Sequence, residues 1–562
     1  MNESSVRPIV LLSLVLAIAA CREHPVAPPP APARPPVAVT PGMPSDVPGG
    51  AANADLRTAG LFAWQQFIAM NWPAAANTRD TADPARKFGE PGPVVWETLR
   101  SKVEIYPGDG VKTQPHGYDK GAPDYGYDDP PQYNYETILP SRPSGNVPPC
   151  SGQASVPTPA WANLDEISQV GFDHLYANGG DGAKLVYYLS KGNRDNYRYV
   201  VANKYWYDGT GTPYGIASQN FVNAVSANKF PPAQPFVSFP NGSVEVKAAF
   251  RPLTAAEAAS GRFYTTRVRY YEAGSANQGC YREAVWGLLG LHIVQKTPTA
   301  PEYTWATFEQ TDVIPTEDDN GAIVRERPPN TPPLSYQDGK FSAGKLPIVR
   351  ADAAYCTDPS IKLFYRDLGT NTPSGGNICV EGRMHRIPQP IIDVNRDAHR
   401  AIADYEAAEH LRPSPWHHYR LANVQVAPFD KSQIAADPSS PRGKPTYYTS
   451  NIVIETDYTL QNHSGIPETK TGFAPSDRTD NFPAPAQPPI SDTYNNVYAL
   501  KPDGSFITRY NMGGCTGCHG LTQVVAGSDF SYLLSGSSVK NPDFSETPAP
   551  TLATKYHRML GR

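Results

Sequence analysis

The spacing of apolar residues changes along the chain, and with it the kind of element each stretch predicts. In LFAWQQFIAMNW (61–72), Leu61, Trp64, Phe67, Ile68 and Asn71 recur at helical spacing, and Pro73 stops the run. The short run VVWETL (94–99) reads as a strand or a short helix. From about 183 to 315 the pattern becomes that of strands. KLVYYLS, YRYVVANKYWY, SVEVKAAF, FYTTRVRYYE, AVWGLLGLHIVQK and YTWATFEQ follow one another, rich in Tyr and Val. Turn signals separate them, such as Lys191-Gly192-Asn193, Tyr207-Asp208-Gly209 and Pro240-Asn241-Gly242. Within 243–250, Val244 and Val246 alternate with Ser243, Glu245 and Lys247, as expected of a strand with one wet face. AHRAIADYEAAEHL (398–411) predicts a helix ending before Pro413, and YYTSNIVIETDYTL (447–460) a further strand. The Pro-, Gly- and Asp-rich stretches 107–160 and 464–491 read as surface loops, and no repeat of fixed period is present. The pattern predicts a mainly β, α+β fold with peripheral helices. Its body is an antiparallel β-sandwich or distorted barrel.

Composition supports a folded body. Of 562 residues 40% are hydrophobic, and 32 Tyr, 19 Phe and 8 Trp supply material for a core. Pro and Gly together make about a fifth of the chain, above the usual share but below that of low-complexity disorder. So many prolines exclude a long helical bundle. A net charge of −5 with both signs mixed argues against a nucleic-acid partner, which needs a basic face.

The N-terminal residues set the expected compartment. In MNESSVRPIVLLSLVLAIAAC (1–21), Arg7 precedes an apolar run over 9–20 that is too short to span a membrane and suits an export signal. Ile18-Ala19-Ala20-Cys21 resembles the lipobox of bacterial lipoproteins. That resemblance implies acylation of Cys21, which becomes the mature N-terminus. Arg22, where an Asp would retain the protein at the inner membrane, implies an outer-membrane anchor. Ten prolines over 25–48 read as a semi-rigid polyproline tether. The expected organisation is a signal peptide at 1–21, a tether at 22–55, a β-rich body at 56–500 and a C-terminal segment at 501–562.

Seven cysteines divide by context. Setting Cys21 aside with Cys515 and Cys518, the remaining Cys150, Cys280, Cys356 and Cys379 predict two disulfides in an oxidising compartment, with three connectivities open. Cys356–Cys379 is the preferred pair because it closes a short Thr-, Pro- and Gly-rich loop. That leaves Cys150–Cys280.

Residues 513–520 read Gly-Gly-Cys515-Thr516-Gly517-Cys518-His519-Gly. This is CxxCH, the attachment signature of c-type haem. Two thiols one turn apart can add to the two vinyl groups on one porphyrin edge, and the adjacent imidazole then reaches the iron. A zinc site would need a second ligand pair, and a thioredoxin-like CxxC a βαβ setting. Neither is present. Over 510–562 the chain resembles bacterial c-type cytochromes. The resemblance implies one covalent haem c held by Cys515 and Cys518, with His519 as proximal iron ligand. Met559, 40 residues after His519 and beyond Pro548-Ala549-Pro550, is the favoured distal ligand. His557, a ligand from the body or an open position are the alternatives, since Met512 stands too near the attachment point. Only 43 residues follow His519, so the body is expected to supply part of the haem's apolar wall.

Five histidines, His385, His399, His410, His417 and His418, lie within 385–418. His399, Glu406 and His410 share a helix face, read as a solvated surface rather than a metal or distal-ligand site. Glu317-Asp318-Asp319-Asn320-Gly321 lacks the ligand spacing of a calcium loop and reads as a polar turn. No nucleophile elbow, P-loop, GxGxxG or HExxH occurs. The leading expectation is a single-haem electron-transfer lipoprotein of the bacterial cell envelope. It would exchange electrons with a redox partner protein or a small donor or acceptor, as a carrier more than a catalyst. A haem peroxidase or oxygenase, or a surface binding module with an accessory haem, is the alternative.

Overall fold

The Tyr- and Val-rich runs build one sheet. The computed structural model describes residues 37–106, 117–119, 148–154, 161–167, 175–178, 183–207, 209–227, 229–273, 279–325, 334–337, 340–343, 349–350, 362–365, 378–380, 382, 386–427, 451–454, 496–500, 503–510 and 514–534. In chain order the strands are β1 (Arg100–Ser101), β2 (Ala162–Leu164), β3 (Leu175–Asn178), β4 (Ala183–Leu185), β5 (Tyr187–Gly192), β6 (Val244–Arg251), β7 (Thr265–Ala273), β8 (Gly279–Gln295) and β9 (Thr304–Gln310). There follow β10 (Leu334–Gln337), β11 (Lys340–Ala343), β12 (Val349–Arg350), β13 (Leu363–Tyr365), β14 (Ile378–Val380), β15 (Tyr419–Gln425), β16 (Asn496–Leu500) and β17 (Phe506–Tyr510).

The main sheet runs β1-β5-β6-β8-β7-β2, with β9 on the other side of the C-terminal half of β8 and β15 on β9. All pairings are antiparallel except β2 with β7, so the sheet is mixed. Glu166, just after β2, exchanges backbone hydrogen bonds of 3.2 and 2.7 Å with Tyr188 of β5. The sheet therefore nearly closes on itself, and the fold is mainly β with a barrel-like body, as the pattern predicted. β3, β4, β12, β13 and β14 form a separate five-stranded sheet, and β10–β11 and β16–β17 are hairpins.

Alternation along the strands sends one set of residues to an apolar layer. Val246, Leu291, Ile293, Ala306, Phe308 and Leu421 pack there with helix α1 (Leu56–Met70) and the helix Gln389–Ala408. Asn395 joins the layers. Its amide oxygen accepts from Trp64 Nε1 at 2.9 Å and Leu421 N at 3.0 Å, and its nitrogen donates to Asn320 O and Leu421 O. The wet face expected on β6 is covered: Glu245 is buried and Lys247 is half-buried.

Several elements differ from the sequence pattern. YRYVVANKYWY is not a strand, because Arg194–Asn203 is a helix. Asn193 caps it by accepting from Asn196 N at 3.2 Å, Tyr197 and Val200 form its buried side, and Lys204 at φ 58° ends it. Pro213–Ala227 is a helix that the apolar pattern did not mark. α1 starts at Leu56, capped by Asp55 accepting from Thr58 N at 2.7 Å. The later helix starts at Gln389, next to Pro388, rather than at 398. Residues 451–454 form a turn, and the rest of the strand expected over 447–460 lies outside the described residues. Of the tether expected over 22–55, residues 22–36 lie outside the described residues. From Val37 onward the chain lies on the body, where Val37, Val47 and Ala51 are buried in the main core. Among the described residues no helix is long and apolar enough to cross a membrane.

Candidate functional site

The segment 514–534 is a helix followed by a tight loop, and both are seated on the body. Gly514–Val525 is helical, so Cys515 and Cys518 stand about one turn apart, with His519 next to the second. The helix lies against Pro213–Ala227. Ser218 Oγ donates to Ala526 O at 2.5 Å, and Tyr214 OH donates to Leu534 O at 2.5 Å. Gly527, at φ +56°, meets Ser218 so closely that an added Cβ would stand 2.0 Å from its carbonyl oxygen. Only glycine fits there. At the other end of the helix, Thr516 N donates to Gln425 Oε1 of β15 at 3.2 Å.

His519 is held on three sides. Its Nδ1 donates to the Phe530 carbonyl at 2.8 Å. Its ring lies 4.2 Å from that of Trp305 on β9 and 4.7 Å from that of Tyr532. Burial, with Lys247 and His292 nearby, pushes its pKa well below the ordinary value, so the ring is neutral. A neutral imidazole that donates from Nδ1 carries its lone pair on Nε2 and can offer it to an electrophile. Cys515 is half-buried against an aromatic cluster that includes Tyr197, Tyr214, Phe239, Tyr303, Trp305 and Phe530.

The strand register explains the floor of this site. Lys247 of β6, His292 of β8 and Thr307 of β9 are paired across the sheet, as are Glu245, Val294 and Trp305. Gln425 of β15 pairs with Trp305. All these residues lie on the face opposite α1, so the same strands carry the apolar core on one side and the His519 site on the other. Burial raises the Glu245 carboxyl to about 7, beside Ser531, and lowers His292 to about 3. Next to this row, Lys296 Nζ meets Asp529 Oδ2 at 2.5 Å, with both side chains almost fully buried. Glu245 and Lys247 were expected on a wet strand face, whereas His292, Lys296 and Asp529 carried no signal in the sequence. The available signal was the alternation over 243–250, which looked like a solvent-facing pattern.

The structure joins Cys150 to Cys280 by a disulfide. Cys379 is disulfide-bonded as well, while Cys356 lies outside the described residues. Also outside them are Cys21, Met512, His557, Met559 and His385. Cys518 is placed by its backbone on the helix.

The other histidines do not converge on one point. His399 hydrogen-bonds Asn320 Oδ1 and Tyr419 O, His417 Nε2 meets Glu406 Oε2 at 2.6 Å, and His418 Nδ1 meets Asp319 Oδ2 at 3.1 Å. The face read as solvated is mostly a packed polar seam, with Glu406 buried and His410 alone exposed at the helix end. The 317–321 run is a turn in which Asp318 Oδ1 accepts from Asn320 N and Ala322 N, both at 2.9 Å. Among the described residues no group of three or more His, Cys, Asp and Glu side chains could hold a metal ion. Comparison with protein-family models, curated proteins and solved structures finds no match to this chain.

Proposed function

We propose that the chain binds one haem c covalently through Cys515 and Cys518, with His519 as an axial iron ligand, and acts as an electron-transfer lipoprotein of the bacterial cell envelope. The observation that carries this reading is His519 Nδ1 donating to Phe530 O within a helical CxxCH, which leaves Nε2 as the basic nitrogen. The residues fit the group. Two cysteine backbone positions one helical turn apart precede an imidazole whose Nδ1 donates to Phe530 O, and aromatic side chains wall the cluster against which Cys515 packs. When bound, haem supplies a one-electron ferric–ferrous couple. The chain's own part is to grip the cofactor edge with two thioethers, hold the imidazole, and exclude water with Trp305, Tyr303 and Phe530. Met559 as second ligand, and Cys21 as lipid anchor to the outer membrane, complete the proposal.

Expression in a bacterial host competent in cytochrome maturation tests it. The expected product is a coloured protein whose pigment stays on the chain after denaturation and is lost in Cys515→Ala/Cys518→Ala. A Met559→Ala variant is expected to lose the long-wavelength absorbance band of methionine-ligated ferric haem. A colourless wild-type chain with both thiols unmodified overturns the reading.

A further inference from the structure

The carbonyl that orients His519 belongs to a strained residue. Phe530 has φ +47°, a left-handed conformation that is costly for a bulky side chain and persists only where its surroundings impose it. Those surroundings are specific. Asp529, the residue before it, pairs with Lys296 at 2.5 Å and accepts from Phe239 N at 3.0 Å. Lys296 also reaches Ser238 Oγ at 3.3 Å. The lysine backbone continues the sheet beyond β8: its N–H donates to Ser243 O at 2.9 Å, and its carbonyl accepts from Gly242 N at 2.8 Å. On the far side of Phe530, Ser528 Oγ donates to Ser531 O at 2.8 Å, and Ser531 Oγ accepts from Leu533 N at 3.1 Å. The Phe530 peptide is thus clamped between a small serine turn and an ion pair fixed to the sheet.

A buried pair of this kind adds little net stability over an apolar pair of the same volume. Its geometric effect is larger, because it ties residue 529 to a rigid strand end 233 residues away in sequence. We infer that Asp529 and Lys296 are positioning residues for His519, acting through the strained Phe530 peptide to fix the imidazole tautomer and the basicity of Nε2. The inference rests on the proposed function only for its redox consequence. A hydrogen bond from Nδ1–H to a carbonyl makes the ring a stronger donor, so losing it raises the reduction potential of an iron bound at Nε2.

The test uses the full-length chain as Asp529→Asn, Lys296→Met, Asp529→Leu/Lys296→Met and Asp529→Asn/Phe530→Gly. The apolar double variant guards against a simple failure to fold. In protein made without haem, nitrogen NMR of labelled His519 reads the tautomer. The wild type is expected to be protonated at Nδ1, and the first three variants to lose that preference. The glycine variant regains it, because glycine adopts a positive φ without an external clamp. In pigmented protein the first three shift the reduction potential upward. An unchanged tautomer in Asp529→Asn, Lys296→Met and the apolar double variant overturns the inference, as does failure of Phe530→Gly to restore it. A colourless wild type overturns the proposed function instead, and the NMR result still decides this one.

Discussion

Opposed titrations meet on one sheet face. Burial raises the Glu245 carboxyl from 4.5 to about 7, so between these values the folded state holds a proton that the unfolded chain releases. Its contribution to stability is present at low pH and is lost as pH rises through that window. Burial lowers His292 from 6.5 to about 3 and His399 from 6.5 to about 4. For these the unfolded chain binds the extra proton, and stability falls as pH drops below 6.5. The two slopes partly cancel over the range they share. Glu245→Gln removes one of them, so the difference in melting temperature between pH 8 and pH 5 is expected to widen in the variant. Melting curves at the two pH values check this, and an unchanged difference would contradict the burial assigned to Glu245. The CxxCH motif was legible because its chemistry is local. What aims the imidazole was not, because Phe530 carries no recognisable signature and the Lys296–Asp529 pair joins distant parts of the chain.

At the level of elements, period was a sound guide where strands alternate, as in β6 through β9, and failed where side-chain type competed with it. Tyr197, Val200 and Val201 look strand-forming, yet the cap at Asn193 and burial of one helical side decide the conformation of 194–203. The polar residues of β6 face protein rather than water because the C-terminal segment covers them. That arrangement depends on long-range packing, which no alternation pattern records. Asn395 shows how strongly the elements are tied together. Four hydrogen bonds from one buried amide reach α1, β15 and the 317–321 turn. Asn395→Ala leaves several buried groups unsatisfied, at about 1–3 kcal/mol for each that water does not reach. The expected loss is about 3 kcal/mol or more. A lower urea midpoint at unchanged slope measures it.

For the whole molecule, the Cys150–Cys280 disulfide closes a loop with a sequence separation of 130. It anchors the 148–150 segment beside β8, where Cys150 N donates to Tyr281 O and Tyr281 N to Pro148 O, both at 2.9 Å. By the loop-entropy argument such a link is worth about 4–5 kcal/mol. Cys150→Ser/Cys280→Ser is expected to lose most of that in denaturant titration, and reductant, which also opens the disulfide of Cys379, to lower the wild type at least as far. Equal midpoints would show that the unfolded chain is already restricted without the link.

Among the described residues every strand of the main sheet lies at or before Gln425, whereas the CxxCH helix begins at Gly514. The sheet can therefore complete its ladder before the last part of the chain has settled. Once Gly527 is wedged against Ser218 and His519 is packed on Trp305, the helix is held on the body with Cys515 half-buried. If these cysteines are modified covalently, an attachment enzyme would meet them most openly before the segment docks, so the order of docking and attachment becomes a step that can be measured.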